Sequence, residues 1–202
     1  MMMLSSESMD ASEINEIATD IYNSAKRLDY LIQNFLLYAE IEMIANDSQK
    51  VASLIKNSTD FSAAIIIDVA TNKAAQTCRE SDLKLEIIDS PVRISEADLN
   101  KIIEETTDNA FKYSPKGTPV YIKSTVNHNE LIIEIRNLGR GLTIEQINQL
   151  GAYMQFDRKI YAQEGSGLGL IISKRLAELY RGELKINSIF NQETTVTITL
   201  PI

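Results

Sequence analysis

The stretch QEGSGLGLIISKR, residues 163–175, places three glycines within five residues and then continues directly into an apolar run. Glycine has no Cβ, so Gly165, Gly167 and Gly169 would let backbone N–H groups approach a ligand closely. The apolar spacing that follows predicts a helix over 168–181, and a helix N-terminus attracts anions. This C-terminal glycine segment therefore predicts a phosphate cradle, although alone it is a weak signal, because a glycine-rich loop can also be a simple flexible turn.

Several common classes of protein do not fit the chain. The C-terminal glycine segment does not follow a strand within a βαβ unit, as a dinucleotide fingerprint requires, and it lacks the Lys-Ser/Thr ending of a P-loop. A net charge of −8 without a broad basic face argues against binding nucleic acid. No apolar run reaches membrane-spanning length and no signal peptide opens the chain. We therefore expect a cytoplasmic location without direct membrane contact, the whole protein being membrane-anchored or a soluble hybrid.

Residues 10–46 carry an apolar stripe whose members are spaced alternately three and four positions apart, with Ser24 filling the one empty position between Ile21 and Leu28. The stripe consists of Ile14, Ile17, Ile21, Leu28, Leu31, Phe35 and Tyr38. This spacing predicts one long amphipathic helix of the bundle type, and Asp10 with Glu13 is typical of an N-terminal capping box. One helix cannot bury such a stripe alone, so we expect self-association through residues 10–46. Residues 1–9 are expected to be a disordered start.

The remainder of the chain alternates between helix and strand patterns. Residues 47–59 are predicted to be a linker. Helices are predicted at about 60–80, 96–114, 143–150 and 168–181, and strands at 83–89, 92–95, 119–126, 130–137, 183–188 and 194–200. The expected fold class is α+β, a two-layer α/β sandwich with a mixed, mainly antiparallel sheet and helices on one face, preceded by the long helix.

The segment EETTDNAFKYS, residues 104–114, carries candidate ligand-binding groups. On a helix, Glu105, Asn109 and either Lys112 or Tyr113 would share one face. Asn109 offers an oxygen to Mg²⁺ and Lys112 offers a charge to a phosphate. In isolation, a solvated helix face is the simpler interpretation of this asparagine segment.

The segment IRNLGRGLT, residues 135–143, is predicted to be a strand that ends in two glycines, and in isolation this central glycine segment would be a plain turn. Together and in this order, the three segments resemble the nucleotide-binding boxes of the GHKL ATPase superfamily, specifically the catalytic region of sensor histidine kinases. YMQFDRK at 153–159 resembles the lid of that family, and QETTVTITLP its closing strand. The resemblance covers roughly residues 60–202, and helix 10–46 resembles the second helix of the family's dimerisation hairpin.

The resemblance implies a Bergerat-type domain over 60–202 that binds ATP with Mg²⁺. By similarity, Asn109 would coordinate Mg²⁺, Lys112 would contact phosphate, and Arg158 would reach the γ-phosphate. Phe156 would be the aromatic residue of the lid, and Thr195 would lie near the adenine. The implied nucleotide-binding residues are Asn109, Lys112, Tyr113, Asn137, Gly139, Gly141, Phe156, Gly165, Ser166, Gly167, Leu168, Gly169 and Thr195.

Two positions depart from the family pattern. Asn137 stands where the family usually has an Asp that accepts a hydrogen bond from the adenine amino group, so a weaker, neutral hydrogen bond is expected. Glu105 stands where many of these kinases have Asn, and where related ATPases such as DNA gyrase have a Glu that activates water. Glu105 is therefore either a general base or a residue that only hydrogen-bonds neighbouring groups.

The implied reaction is transfer of the ATP γ-phosphoryl group to a histidine on a helix of the same or a partner subunit, followed by relay to a response-regulator receiver domain. The single histidine, His128, falls in a predicted turn, so we expect the acceptor to lie outside these residues and the chain alone not to autophosphorylate. Two alternatives remain at this point. One is a non-catalytic nucleotide-sensing and dimerisation module with a weakened pocket, and the other is a GHKL serine kinase of the anti-sigma type.

Overall fold

The computed structural model describes residues 10–147 and 168–202. The helices are α1 (Ala11–Ala45), α2 (Ser48–Leu54), α3 (Ser62–Gln76), α4 (Glu96–Lys112) and α5 (Leu168–Leu179). The strands are β1 (Leu83–Glu86), β2 (Val120–Asn127), β3 (Glu130–Leu138), β4 (Glu183–Ile189) and β5 (Glu193–Pro201). The predicted disordered start at 1–9 lies outside the described residues, as does the end of the predicted helix 143–150, whose residues 144–147 are helical.

The five strands form one sheet in the order β1-β2-β3-β5-β4. Only β1 and β2 pair in parallel, and the other three pairs are antiparallel. Side chains alternate along β3, where Leu131, Ile133 and Ile135 are buried while Glu134 and Arg136 are exposed. The buried side chains of the sheet pack against α3, α4 and α5 in one hydrophobic core, so the two-layer α+β prediction is confirmed.

Two segments between α1 and α4 differ in detail from the sequence prediction. The segment predicted as a linker, residues 47–59, contains α2, whose N-cap Asp47 accepts hydrogen bonds from the Gln49 and Lys50 amides. Seven residues are too few to show a helical period, which is why the pattern gave no signal. The predicted strand 92–95 is not part of the sheet, because Val92 instead forms an isolated bridge with Thr59.

The long helix α1 confirms the predicted helix and its capping box. The Asp10 side chain accepts a hydrogen bond from the Glu13 amide at 2.8 Å, and Glu13 returns one to the Asp10 amide at 3.0 Å. The C-terminal part of α1 packs on the domain through the buried residues Asn34 and Ile41. The stripe residues from Ile14 to Leu28 remain exposed, as do all residues of α1 up to position 30, whereas Tyr38 at the end of the stripe packs against the core. No helix in the two described ranges is both long and apolar enough to cross a bilayer.

Candidate active site

Helix α4 is the element around which the predicted motifs gather. It begins at Ser95, whose hydroxyl accepts a hydrogen bond from the Asp98 amide at 3.1 Å. Its inward face buries Leu99, Ile102 and Ile103 completely, which fixes the rotation of the helix about its axis. The asparagine segment therefore forms the C-terminal half of a firmly packed helix, as the sequence predicted.

The central glycine segment contacts the C-terminal end of α4. A Cβ on Gly139 would overlap the backbone carbonyl of Tyr113, so no other residue fits this close approach. The Gly139 amide also donates to the Gln192 carbonyl at 3.0 Å, which ties the segment to the β4–β5 turn. Gly141 has φ of +63°, and a Cβ there would overlap the Ile189 carbonyl. Both glycines are thus required by the backbone geometry.

Asn137 lies two residues before Gly139 and is only 5% exposed. Its Nδ2 lies 3.1 Å from the position a Cβ on Gly139 would occupy. Within residues 10–147 and 168–202, no group hydrogen-bonds the side-chain amide of Asn137. Among the described residues, the fully enclosed side-chain atoms without a hydrogen-bond partner are Asn34 Nδ2 and Thr107 Oγ1, so the amide of Asn137 is not sealed inside the core. A side-chain amide can offer a donor and an acceptor to a ligand.

The register of the neighbouring strands places further polar side chains on the same face of the sheet as Asn137. Asn137 pairs with Thr194, which in turn pairs with Ser188, and directly opposed residues lie on the same face. The Thr194 and Ser188 hydroxyls are 2.8 Å apart, and Ser188 Oγ accepts from the Leu142 amide at 2.8 Å. Polar side chains therefore line the helix-facing side of three neighbouring strands.

Thr195 is not brought together with Asn137. Its register partner is Arg136, which is exposed on the face of the sheet away from the helices. Sequence reasoning missed Thr194 as the inward-facing residue. The signal was present, because Val196, Ile198 and Leu200 follow at even positions and share the same face as Thr194.

Asn109 is held by its own helix. Its Nδ2 donates to the Glu105 carbonyl at 2.8 Å, which orients the side chain and directs Oδ1 away from that carbonyl. Among the described residues, Oδ1 receives no hydrogen bond. Amide oxygens are suitable ligands for Mg²⁺, so the residue fits the predicted metal-binding role.

The carboxylate of Glu105 is buried, with a residue exposure of 3%. Lys101 Nζ lies 2.6 Å from its Oε1, and the Tyr30 hydroxyl donates to its Oε2 at 2.5 Å. A Cβ on Gly169 would overlap the same Oε2, so the carboxylate lies directly against the start of α5. Glu105 thereby joins α1, α4 and the C-terminal glycine segment at one point.

Two cations lie over the ring of Tyr113 at the end of α4. The Lys112 ammonium is 5.4 Å from the ring centroid and the Arg140 guanidinium is 4.8 Å from it. The two side chains bring positive charge to the edge of the candidate site, next to Gly139. Leu168 begins α5 and is half-buried. The predicted site residues Phe156, Arg158, Gly165, Ser166 and Gly167 lie outside the described residues.

Sequence reasoning also missed Arg79. This residue is 3% exposed, and its Nε donates to Asp82 at 2.7 Å. Its Nη atoms donate to backbone carbonyls of the last turn of α4 and of the loop that follows, at Phe111, Ser114, Pro115 and Thr118. No local pattern marks Arg79, because its acceptors come from segments up to 39 residues away.

The comparisons with known proteins agree with this geometry. Residues 94–202 match the family of histidine kinase-, DNA gyrase B- and HSP90-like ATPases, and the chain belongs to that family. It is 27% identical over 201 residues to sensor histidine kinase YvrG and 22% identical over 185 residues to sporulation kinase E, both of Bacillus subtilis strain 168. These matches cover 98% and 90% of this chain but only 34% and 23% of the relatives.

A solved structure shows the same fold. Histidine kinase AdeS of Acinetobacter baumannii superposes with a TM-score of 0.69 at 16% identity, covering 96% of this chain and 86% of that one. The family predicted from the three segments is therefore confirmed, together with its fold. The fold and relatives are those of the ATP-binding catalytic region of sensor histidine kinases.

Proposed function

We propose that the chain binds Mg·ATP and transfers the γ-phosphoryl group to a histidine on a helix, for relay to an aspartate of a receiver domain. The observation that carries this proposal is the position of the largely buried Asn137, whose side-chain amide lies beside Gly139, where β3 meets the end of α4. Membership of the ATPase family and the kinase names of the relatives support it.

Adenine would be recognised by the side chain of Asn137. Its carbonyl oxygen would accept a hydrogen bond from the exocyclic amino group of the base. We propose Thr194, rather than Thr195, as the neighbouring hydroxyl, because only Thr194 shares the face of Asn137. Gly139 and Gly141 keep the backbone close without side chains in the way.

Asn109 would hold Mg²⁺ through Oδ1. Bound with ATP, Mg²⁺ neutralises charge on the phosphates. Lys112 and Arg158 would add positive charge, and the backbone N–H groups of Gly165–Gly169 with the start of α5 would cradle the phosphates. Most of the catalysis would come from positioning and electrostatic stabilisation, because phosphoryl transfer needs little covalent chemistry from the protein.

We infer that Glu105 is a structural residue rather than a general base. Both of its carboxylate oxygens are engaged, one by Lys101 and one by Tyr30. A base must instead present a carboxylate oxygen to the group it deprotonates. The backbone carbonyl oxygen of Glu105 separately orients Asn109, because it accepts a hydrogen bond from the side-chain amide of that residue.

The phosphoacceptor would come from outside these 202 residues. His128 is exposed in the β2–β3 turn, nine positions before Asn137, which corresponds to at most about 30 Å at the rise of a strand. A helix elsewhere in the protein or in a partner subunit would supply the histidine, with α1 forming a homodimer contact. We place the reaction in the cytoplasm, where ATP is available.

Calorimetric titration with Mg·ATP tests nucleotide binding. We expect saturable binding that needs Mg²⁺ and is lost in Asn109→Ala. Asn100→Ala is the matched control, because Asn100 is exposed on the same helix, and it should bind like the parent. Absence of binding in the parent chain would overturn the proposal and favour the non-catalytic module.

A second assay tests the acceptor. The chain is mixed with radiolabelled ATP and a histidine-bearing helical hairpin of the full-length protein. We expect an acid-labile, base-stable phosphate on the hairpin, as a phosphohistidine gives. An acid-stable phosphate on a serine of a partner protein would favour the serine-kinase alternative.

A further inference from the structure

We infer that Tyr30, on α1, is a positioning residue for the nucleotide site and acts on it through Glu105. This inference rests on the proposed function, because it concerns the same site. It assigns part of that site to α1, a helix that lies outside the matched residues 94–202.

Two residues of α1 fix the position of the Glu105 carboxylate through hydrogen bonds, one directly and one through Lys101. The Tyr30 hydroxyl donates directly to Oε2 at 2.5 Å. The second interaction is indirect, because Lys101 Nζ donates both to Glu105 Oε1 at 2.6 Å and to Asn34 Oδ1 at 2.9 Å. Asn34 is 1% exposed and lies four residues, or one helical turn, after Tyr30. The two α1 residues therefore reach the carboxylate from one face of the helix.

The carboxylate in turn lies between the helices that carry the nucleotide-binding segments. Oε2 is in contact with Gly169, at the start of α5, so its position limits how closely α5 approaches α4. The same residue orients Asn109 through its backbone carbonyl. A shift of Glu105 would therefore move the start of α5 relative to Asn109, the proposed Mg²⁺ ligand.

Removing the Tyr30 hydroxyl would force such a shift. Among the described residues, Tyr30 is the only group that donates to Oε2, and a buried carboxylate oxygen without a donor is costly. The carboxylate must then turn toward Lys101 or admit water, and either change alters the contact with Gly169. Tyr30 is 42% exposed as a whole, but partial burial and, next, the hydrogen bond to Glu105 raise the pKa of its hydroxyl, which therefore remains a donor at neutral pH.

The experiment compares Mg·ATP affinity in Tyr30→Phe and Tyr22→Phe by calorimetry. Tyr22 is the matched control, because it lies on the same helix with 58% exposure. We expect the dissociation constant to rise at least about threefold in Tyr30→Phe and not to change in Tyr22→Phe. Asn34→Ala, which releases Lys101, should change affinity in the same direction. Thermal melts of each variant separate loss of folding from loss of binding.

A double-mutant cycle with Glu105→Gln separates positioning from general destabilisation. If Tyr30 acts through the carboxylate, Tyr30→Phe will have no further effect on affinity in the Glu105→Gln background. An equal loss in both backgrounds, or a lowered melting temperature with unchanged affinity, would overturn the inference while leaving the proposed function intact. Failure of the parent chain to bind Mg·ATP would overturn both.

Discussion

At the scale of single residues, the candidate site depends on Asn137, a buried amide that lies beside a glycine. Asn137→Asp should tighten Mg·ATP binding about fivefold, because the hydrogen bond to the adenine amino group becomes charge-assisted. The same change should lower the stability of the nucleotide-free protein, since it buries a carboxylate that no described residue bonds. Calorimetry and thermal melts measure the two effects, and unchanged affinity would argue against adenine at this position.

The glycine beside Asn137 gives a second test at this scale. Gly139→Ala should lower the free energy of unfolding by about 2 kcal/mol or more and abolish nucleotide binding, because the new Cβ overlaps the Tyr113 carbonyl. Gly117→Ala is the control, since Gly117 also lies outside helix and strand but has nothing within 4 Å of the added Cβ. Its positive φ of +85° should cost about 1 kcal/mol while binding is retained. Equal binding losses in the two variants would contradict this interpretation.

At the scale of elements, Arg79 joins α3 to the turn that ends α4. The guanidinium satisfies carbonyls that the end of a helix leaves unpaired, and it lies 5.1 Å from the ring centroid of Phe111. Arg79→Met should destabilise the protein by about 3 kcal/mol in urea unfolding, because several buried acceptors lose their donor. Arg93→Met, at an exposed arginine, should change stability little. A small effect at Arg79 would mean that water replaces the guanidinium.

The ion pair between Arg79 and Asp82 predicts that the stability of the protein depends on pH. The Arg79 hydrogen bond, followed by that of the Gly117 amide, lowers the pKa of Asp82. A carboxyl whose pKa is lowered by folding contributes stability above its unfolded value of about 3.9, and the contribution is lost as pH falls through the folded value. Between about pH 5 and pH 3 the parent should therefore lose more unfolding free energy than Asp82→Asn. Parallel losses in urea titrations would contradict the assignment.

At the scale of the whole molecule, α1 has two distinct parts. One docks on α5, where Arg175 contacts Glu42 at 2.6 and 3.0 Å. The other carries Ile14, Ile17, Ile21 and Leu28, each at least 46% exposed. An exposed apolar stripe of this length favours association with another helix, which is why we propose a homodimer contact here.

Sedimentation velocity tests this contact. The parent chain should shift from monomer toward dimer as concentration rises, whereas the double variant Ile21→Glu, Leu28→Glu should remain monomeric with unchanged Mg·ATP affinity. Asn23→Glu, which adds a charge off the stripe, is the control and should associate like the parent. A monomeric parent at high concentration would remove the support for dimerisation through α1.

The sequence by itself determined the features that depend on local pattern. The period of α1, the capping box at Asp10 and the alternation along β3 follow from the spacing of apolar residues, since helix and strand have fixed periods. The three motif segments identified the family, because glycines and an asparagine in that order resemble its nucleotide boxes. The roles of Phe156 and Arg158 remain predictions from that resemblance.

Only the tertiary structure decided which polar groups meet. Tyr30 and Glu105 are 75 residues apart, and Arg79 bonds a turn more than 30 residues later. Register alone placed Thr194, and not Thr195, beside Asn137. The physical reason is that a buried polar side chain takes its partner from whatever packing brings within hydrogen-bond distance. Apolar spacing specifies which face of an element is buried, whereas the partners found on that face depend on how the elements pack together.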